Sequence, residues 1–382
     1  MRARKWYQKN LDVTCIPLSG QLARQTTPND RRVTLEPQML EDREAPHSRS
    51  AYRGKPLAGI RKMETLLVKL GATGDVVRTT PLLRRLDGRV TWVTYSGNKA
   101  MLENLENLRV DLRVINWEQR SLLDGRKYDL VIHLEDDFET ATIQKSVRTG
   151  RVFGSYVDSN GRLAYSEDSS PWFNLSLISV YGRKKANELK LQNRRSYQEL
   201  IFEGLGLKFV GERYLLPPAL ASGLIGDVAI ASEAGPAWPM KRWEHYSWLK
   251  SVLESRGLTV NFLPRRATLL EHLSDILGHR CLVSGDSLPM HLALGSNIPC
   301  VGLFTCTSPW EIYDYGILEK VISPRLREFF YNRAFDPKAT TSISKERVLN
   351  SVVQVIGTLT ELQSTLPQGI DNRCDVADHF RR

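Results

Sequence analysis

Residues 63–86 read METLLVKLGATGDVVRTTPLLRRL, and three signals follow one another inside that stretch. METLLVKL is a short apolar run rich in strand formers, GATGD is a turn, and VVRTTPLLRRL carries apolar residues at helical spacing. The reading is strand, loop, helix. Gly71 and Gly74 let the backbone turn sharply after the strand and approach a ligand closely. Asp75 then falls at the start of the helix, at the carboxyl end of the strand, where open parallel sheets bind ligands. An aspartate there is also a favoured helix cap and needs no chemistry to explain it.

The same alternation continues outward. RVTWVTY (89–95) reads as a strand, KAMLENLENL (99–108) as a helix, LRVINW (112–117) as a strand, and KYDLVIHLEDD (127–137) as a strand ending in acids. Residues 139–198 show weaker patterning and are expected to hold loops and short helices. A second series opens near Ile225. DVAIAS is a strand, and WEHYSWLKSVLESRG is a helix with Trp243, Tyr246, Leu249 and Leu253 on one face. LTVNFL is a strand, ATLLEHLSDILG a helix, RCLVS a strand, PMHLALG a helix and CVGLF a strand. Strands alternating with helices predict α/β halves with parallel sheets covered on both faces. The expected domains are 63–215 and 222–341, both Rossmann-like and facing across a cleft. A helix over 342–366, with Ser342 and Ser344 as candidate caps, and a tail over 367–382 follow.

Length and charge agree with this division. A chain of 382 residues exceeds one ordinary core and suits two. Hydrophobic residues make up 41% and charged residues 25%, the balance of a globular protein, which argues against disorder or a fibrous repeat overall. The formal charge of +10 is uneven, because residues 1–62 hold 13 Lys and Arg against 6 Asp and Glu. That segment lacks periodicity and reads as a basic extension, extended or partly disordered. Contact with an anionic membrane surface suits its charge, whereas a solvated arm or a start at Met63 accounts for it equally well. No nucleic-acid partner is expected. No run approaches the roughly 20 apolar residues that cross a bilayer, and no apolar core follows the basic N-terminus, so a cytoplasmic protein is expected, peripheral to the inner membrane face if the arm binds lipid. Cys15, Cys281, Cys300, Cys306 and Cys374 are odd in number and contain no CxxC pair, which fits neither a disulfide framework nor a zinc site.

Three further stretches fall in a fixed order after KLGATGDVVRTTPLL. They are GPAWPMKRW (235–243), VSGDSLPMHLAL (283–294) and PCVGLFTCTSPWEIYDYG (299–316). The ordered set resembles the heptosyltransferase family, glycosyltransferase family 9. Its usual form runs strand-R-x-G-x-x-G-D-V, a K-x-W element, D-[ST]-G-x-x-H-x-A-A and a T-S-P-W-E-like loop. Any one of these motifs is weak, whereas the order over roughly 63–355 is specific. The resemblance implies the GT-B architecture. It also implies an inverting, metal-independent transfer of a sugar, heptose from ADP-heptose, to an acceptor hydroxyl in lipopolysaccharide-core or related glycan synthesis. No cofactor is expected; the partners are the nucleotide-sugar donor and a glycan, lipid-linked or other hydroxyl acceptor.

The resemblance assigns roles to individual positions. Asp75 stands where the family has its proposed general base, and Lys241 where a lysine contacts the donor and can offset charge on the departing diphosphate. Gly71, Gly74, Ser232, Lys241, Asp286, Ser287, Leu288, His291 and Thr305 form the implied donor side, with Asp286 accepting from donor hydroxyls. Ser287 leads into a helix whose free amides suit a diphosphate. His291 serves equally well as a packing residue. Glu135, Asp136 and Asp137, which end the YDLVIHL strand, are open on their residue types to three readings, a cap for the following helix first, then a metal site or contact with the acceptor, for which Asp136 and Asp137 are the candidates. Two departures stand out. Leu288 and Pro289 replace the family's glycine and its neighbour, and Ala237 to Met240 replace small hydroxyl residues before the lysine.

Two rival classes remain. A nicotinamide or phosphoryl-transfer enzyme lacks its cradle, since no G-x-G-x-x-G opens either half and no G-x-x-x-x-G-K-[ST] occurs. A non-catalytic module binding a nucleotide-sugar or polyanion is kept open by the departures at Leu288, Pro289 and 236–240, and the unusual middle segment leaves room for a glycosyltransferase with a protein, nucleoside or natural-product acceptor.

Overall fold

The computed structural model describes residues 62–175 and 181–365. The basic extension with Cys15, and the tail from 366 with Cys374, lie outside the described residues.

Two sheets carry the fold. The first has the order β3-β2-β1-β4-β5-β6. Its strands are β1 Glu64–Val68, β2 Arg89–Thr94, β3 Asp111–Asn116, β4 Lys127–His133, β5 Arg148–Val157 and β6 Leu163–Tyr165. All neighbours are parallel except β5 and β6. The second sheet, order β11-β10-β9-β7-β8, is parallel throughout. It consists of β7 Gly226–Ala231, β8 Val260–Phe262, β9 His279–Gly285, β10 Cys300–Phe304 and β11 Leu318–Ile322. Its central strands read as continuous apolar runs because both faces are covered. Val228, Ile230, Val283, Val301 and Leu303 pack with Trp243, Leu249 and the C-terminal helix Lys345–Thr365 on one side. Ala229, Leu282 and Phe304 pack with the helices Leu269–Leu277 and Leu288–Gly295 on the other. Val77 and Met101 of the first half join that second cluster, so the halves share apolar contact.

The local chemistry explains where elements begin. Leu269–Leu277 starts at a capping box in which Thr268 accepts from Glu271 N and Glu271 reaches back to Thr268 N. Trp243 precedes its expected helix, which spans Tyr246–Glu254, yet stays fully buried with the three residues predicted beside it. Cys281, Cys300 and Cys306 are free and buried.

Four expectations change. The first helix begins earlier than read, at Thr73, and ends at Thr79, where Pro81 turns the chain into a 3-10 segment, Thr80–Arg84. Residues 99–108 form no α-helix. A 3-10 turn, Ser96–Met101, is followed by Asn104 and Asn107 at φ 61° and 57°, left-handed values that break helical propagation. Residues 139–198 contain a ten-residue strand, β5, hidden in the sequence by Arg148, Gly150, Arg151 and Gly154. β11 extends the second sheet past the strands read from the sequence.

Candidate functional site

The turn after β1 is held from both sides by the strands that flank it. From β4, Glu135 accepts from Leu70 N at 2.7 Å, Gly71 N at 3.3 Å and Lys69 Nζ at 2.9 Å. From beyond β2, Asn98 donates to Leu70 O at 2.6 Å and accepts from Thr73 Oγ1 at 2.7 Å. Asp75 is therefore presented by a fixed loop. The cap position belongs to Ala72, which offers no side-chain bond, so Asp75 is a first-turn residue and not the cap.

Two cations hold the Asp75 carboxylate. Arg78 Nε lies 3.3 Å from Oδ1 and Lys69 Nζ 4.0 Å from Oδ2, while the aspartate side chain remains 39% exposed. Burial alone raises its pKa, but Arg78, Lys69, His291 and Lys241 together draw it below the ordinary carboxylate value. The last two of these come from the second half of the chain.

That half brings its own strand ends to the same place. β7 ends at Ala231, leaving Ser232 half-buried at its exit, and the loop that follows returns Lys241 to 2.9 Å from Asp286 Oδ2. The approach requires a glycine, because a Cβ on Gly285 would lie 2.5 Å from the Lys241 carbonyl oxygen. Burial opposes charge on Asp286, but Lys241, His291 and Thr307 together outweigh it and hold the carboxyl far below its usual range. Thr305, buried after β10, donates its hydroxyl to Met240 O and thereby braces the lysine loop.

Ser287 precedes the Leu288–Gly295 helix and caps nothing with its side chain; its hydroxyl faces Gly285 O at 3.3 Å and Ser284 Oγ at 3.2 Å. Leu288 and Pro289 occupy the first turn, and Pro289 contributes no amide. One turn on, His291 is 4% exposed and its Nδ1 is buried with no hydrogen-bond partner among the described residues. Burial, reinforced by Arg78, pushes its pKa down to about 4, so the ring is neutral at pH 7.

The predicted residues thus divide. Asp75, Gly74, Lys241, Asp286 and His291 are drawn together, with Gly71, Ser287 and Leu288 in the turns that carry them. Asp136 and Asp137 are engaged elsewhere. Tyr165 donates to Asp136, and Asp137 caps the Phe138–Ala141 turn by accepting from Thr140 N at 3.0 Å. Sequence reading missed Lys69, Arg78 and Glu311. Lys69 stands where the family motif has arginine, and Arg78 follows Asp75 at the (i, i+3) spacing of a helical ion pair, so both left a local trace. Glu311 left none.

No protein-family model matches the sequence, and no curated protein matches it. Among solved structures, the chain is similar to a family 9 glycosyltransferase from Veillonella parvula, with a TM-score of 0.52 at 16% identity over 78% of this chain and 98% of that one. It is also similar to the E. coli heptosyltransferase WaaC with ADP, with a TM-score of 0.49 at 16% identity over 78% and 99% of the two chains. The chain has the two-sheet GT-B fold of a glycosyltransferase family 9 protein.

Proposed function

We propose that the protein is an inverting glycosyltransferase that moves a sugar from a nucleotide-diphosphate donor to an acceptor hydroxyl with no metal ion. One observation carries the reading. An ionised, partly exposed carboxylate on one half, Asp75, is set against a half-buried lysine paired with a buried aspartate on the other, Lys241 and Asp286.

Each group suits a task. The donor's anomeric carbon becomes cation-like as its bond to the diphosphate breaks, so the attacking hydroxyl acidifies late. A base of low pKa such as Asp75 is adequate for that proton. Lys241 has three N–H donors and spends one on Asp286, leaving two for phosphate oxygens. Fixed charges of this kind stabilise a departing diphosphate without reorganisation. Asp286, kept ionised by Lys241, can accept from donor hydroxyls. Asp75, Glu135 and Asp286 each already face a protein cation, which favours fixed donors over a carboxylate-held metal. By the family resemblance the donor is ADP-heptose and the acceptor belongs to lipopolysaccharide core or a related glycan, the reaction taking place in the cytoplasm at the inner membrane face.

The test is transfer by the full chain from ADP-heptose to heptose-deficient core acceptor in excess EDTA, read as ADP release and as added mass on the acceptor. Activity that disappears with EDTA and returns with Mg2+ overturns the metal-free mechanism. Binding of ADP-heptose with neither transfer nor hydrolysis points instead to the non-catalytic module that Leu288 and Pro289 keep open.

A further inference from the structure

A buried carboxylate far from Asp75 in sequence is tied to it through one guanidinium. Glu311 belongs to the loop after β10, is 5% exposed, and is clasped by the first half of the chain. Lys190 Nζ lies 3.1 Å from its Oε1 and Arg78 Nη2 lies 4.0 Å from its Oε2. Tyr331 donates to Oε2 at 3.2 Å, and Tyr197 N donates to the Glu311 carbonyl at 3.0 Å. Lys190 and Arg78 are themselves 7% and 8% exposed. Arg78 stacks on the Tyr197 ring at 3.9 Å while its Nε edge faces Asp75. One planar fork therefore faces two carboxylates as ion pairs, Asp75 at 3.3 Å from Nε and Glu311 at 4.0 Å from Nη2, with two separate nitrogens where a lysine has one.

We infer that Glu311 is a positioning residue for Asp75, acting through Arg78 from the opposite half of the molecule. The inference rests on the reading of Asp75 as the general base. Lys69 also lies between two carboxylates, Asp75 and Glu135, but reaches both from one ammonium nitrogen. Three carboxylates (Asp75, Glu135, Glu311) thus meet three cations (Lys69, Arg78, Lys190), and the network is neutral as a whole. The remaining charged and titratable groups facing Asp75 are His291, Lys241 and Tyr197. Because Arg78 is divided, its pull on Asp75 is partial. A base held by an undivided arginine would be weaker, and one without it would be less fixed in direction.

The experiment uses the full chain and reads Asp75 in two ways, as the 13C titration of its carboxyl carbon and as the acid limb of kcat for transfer. Glu311→Gln keeps the shape and removes the charge. Arg78 then turns wholly to Asp75, so the titration should move down by about half to one pH unit, with kcat reduced several-fold and the donor KM unchanged. In an Arg78→Lys background the same substitution should move the titration by less than a third as much, since the shared fork is gone. Glu311→Asp, which restores the charge, should recover most of the wild-type titration. Equal effects of Glu311→Gln in both backgrounds, or no effect in either, overturn the inference. If Glu311→Gln does not fold, Glu311→Asp compared in the wild-type and Arg78→Lys chains decides: a residual shift of the Asp75 titration that vanishes with the arginine supports the shared fork, and a shift equal in both, or none in either, rejects it. The carboxyl titration needs no turnover. A shifted Asp75 in a chain that transfers no sugar therefore leaves the coupling standing and rejects the catalytic reading alone.

Discussion

Gly74 and His291, which belong to different halves of the chain, touch so closely that a Cβ on Gly74 would sit 2.9 Å from the imidazole Cδ2 and 3.8 Å from the Leu288 Cα. The helix that presents Asp75 is therefore seated directly on the helix that follows Asp286. The contact sets how far apart the base and the donor groups stand.

Gly74→Ala should consequently cost about 1–3 kcal/mol of stability, the usual range for overpacking a well-filled site. Activity should fall further than stability explains, because the added methyl pushes the two helices apart. Gly74→Ala combined with His291→Ala should regain much of both, as space is returned where the methyl intrudes. Urea denaturation of the single and double variants measures the first effect, and transfer rates measure the second. Strict additivity of the two substitutions would show that the contact is not shared.

Asp75→Asn should abolish transfer while leaving nucleotide affinity within a few-fold. Asp75 acts on the acceptor's proton and stands on the half opposite Lys241 and Asp286. The substitution keeps the side-chain shape beside Arg78 and Lys69 but leaves both cations short of a carboxylate, so a modest loss of stability is also expected. Calorimetry with ADP and single-turnover kinetics separate binding from chemistry. Substantial turnover by the variant would remove Asp75 from the role of base.

Lys241→Ala should weaken donor binding and slow transfer together, since the lysine is expected to contact the phosphates both before and during their departure. It also strips Asp286 of the cation 2.9 Å away and leaves a largely buried carboxylate exposed to its desolvation cost. Asp286 should then titrate much nearer the normal range. The double variant Lys241→Ala with Asp286→Asn should be more stable than Lys241→Ala alone. Unchanged ADP affinity with normal kinetics would reduce Lys241 to a structural partner of Asp286.

Buried His291 makes stability depend on pH in a defined window. Its folded pKa of about 4 lies below the ordinary 6.5, so the unfolded chain binds the proton more readily between those values. The contribution is complete above about pH 6.5 and is lost progressively as pH falls toward 4. Urea midpoints measured from pH 7.5 to 4.5 should therefore decline, with His291→Asn showing a flatter curve. A slope unchanged by the substitution would place the acid sensitivity elsewhere.

What the sequence determined by itself is whatever short-range physics encodes. Apolar runs bounded by turns marked β1 to β4 and β7 to β10, and helical apolar spacing marked the helix within ATLLEHLSDILG. Strand exits placed Asp75, Lys241 and Asp286 at ligand-facing ends, because in parallel sheets those ends gather on one edge. Local cues failed where they conflicted with context: ENLENL has helical spacing, but Asn104 and Asn107 adopt left-handed backbone. β5 carries charges and glycines that hide its period. Only the tertiary structure decided the ion network. Lys69 meets Glu135 because β1 and β4 are neighbours in the sheet, and Arg78 and Lys190 meet Glu311 because the two halves pack together. Such pairs form between residues separated by 66 to more than 200 positions, and a charge carries no sequence periodicity that names its distant partner. Sheet order and the packing of the halves supply that information, and for this reason the partners of Glu311, Arg78 and Lys190, are legible only in the folded chain.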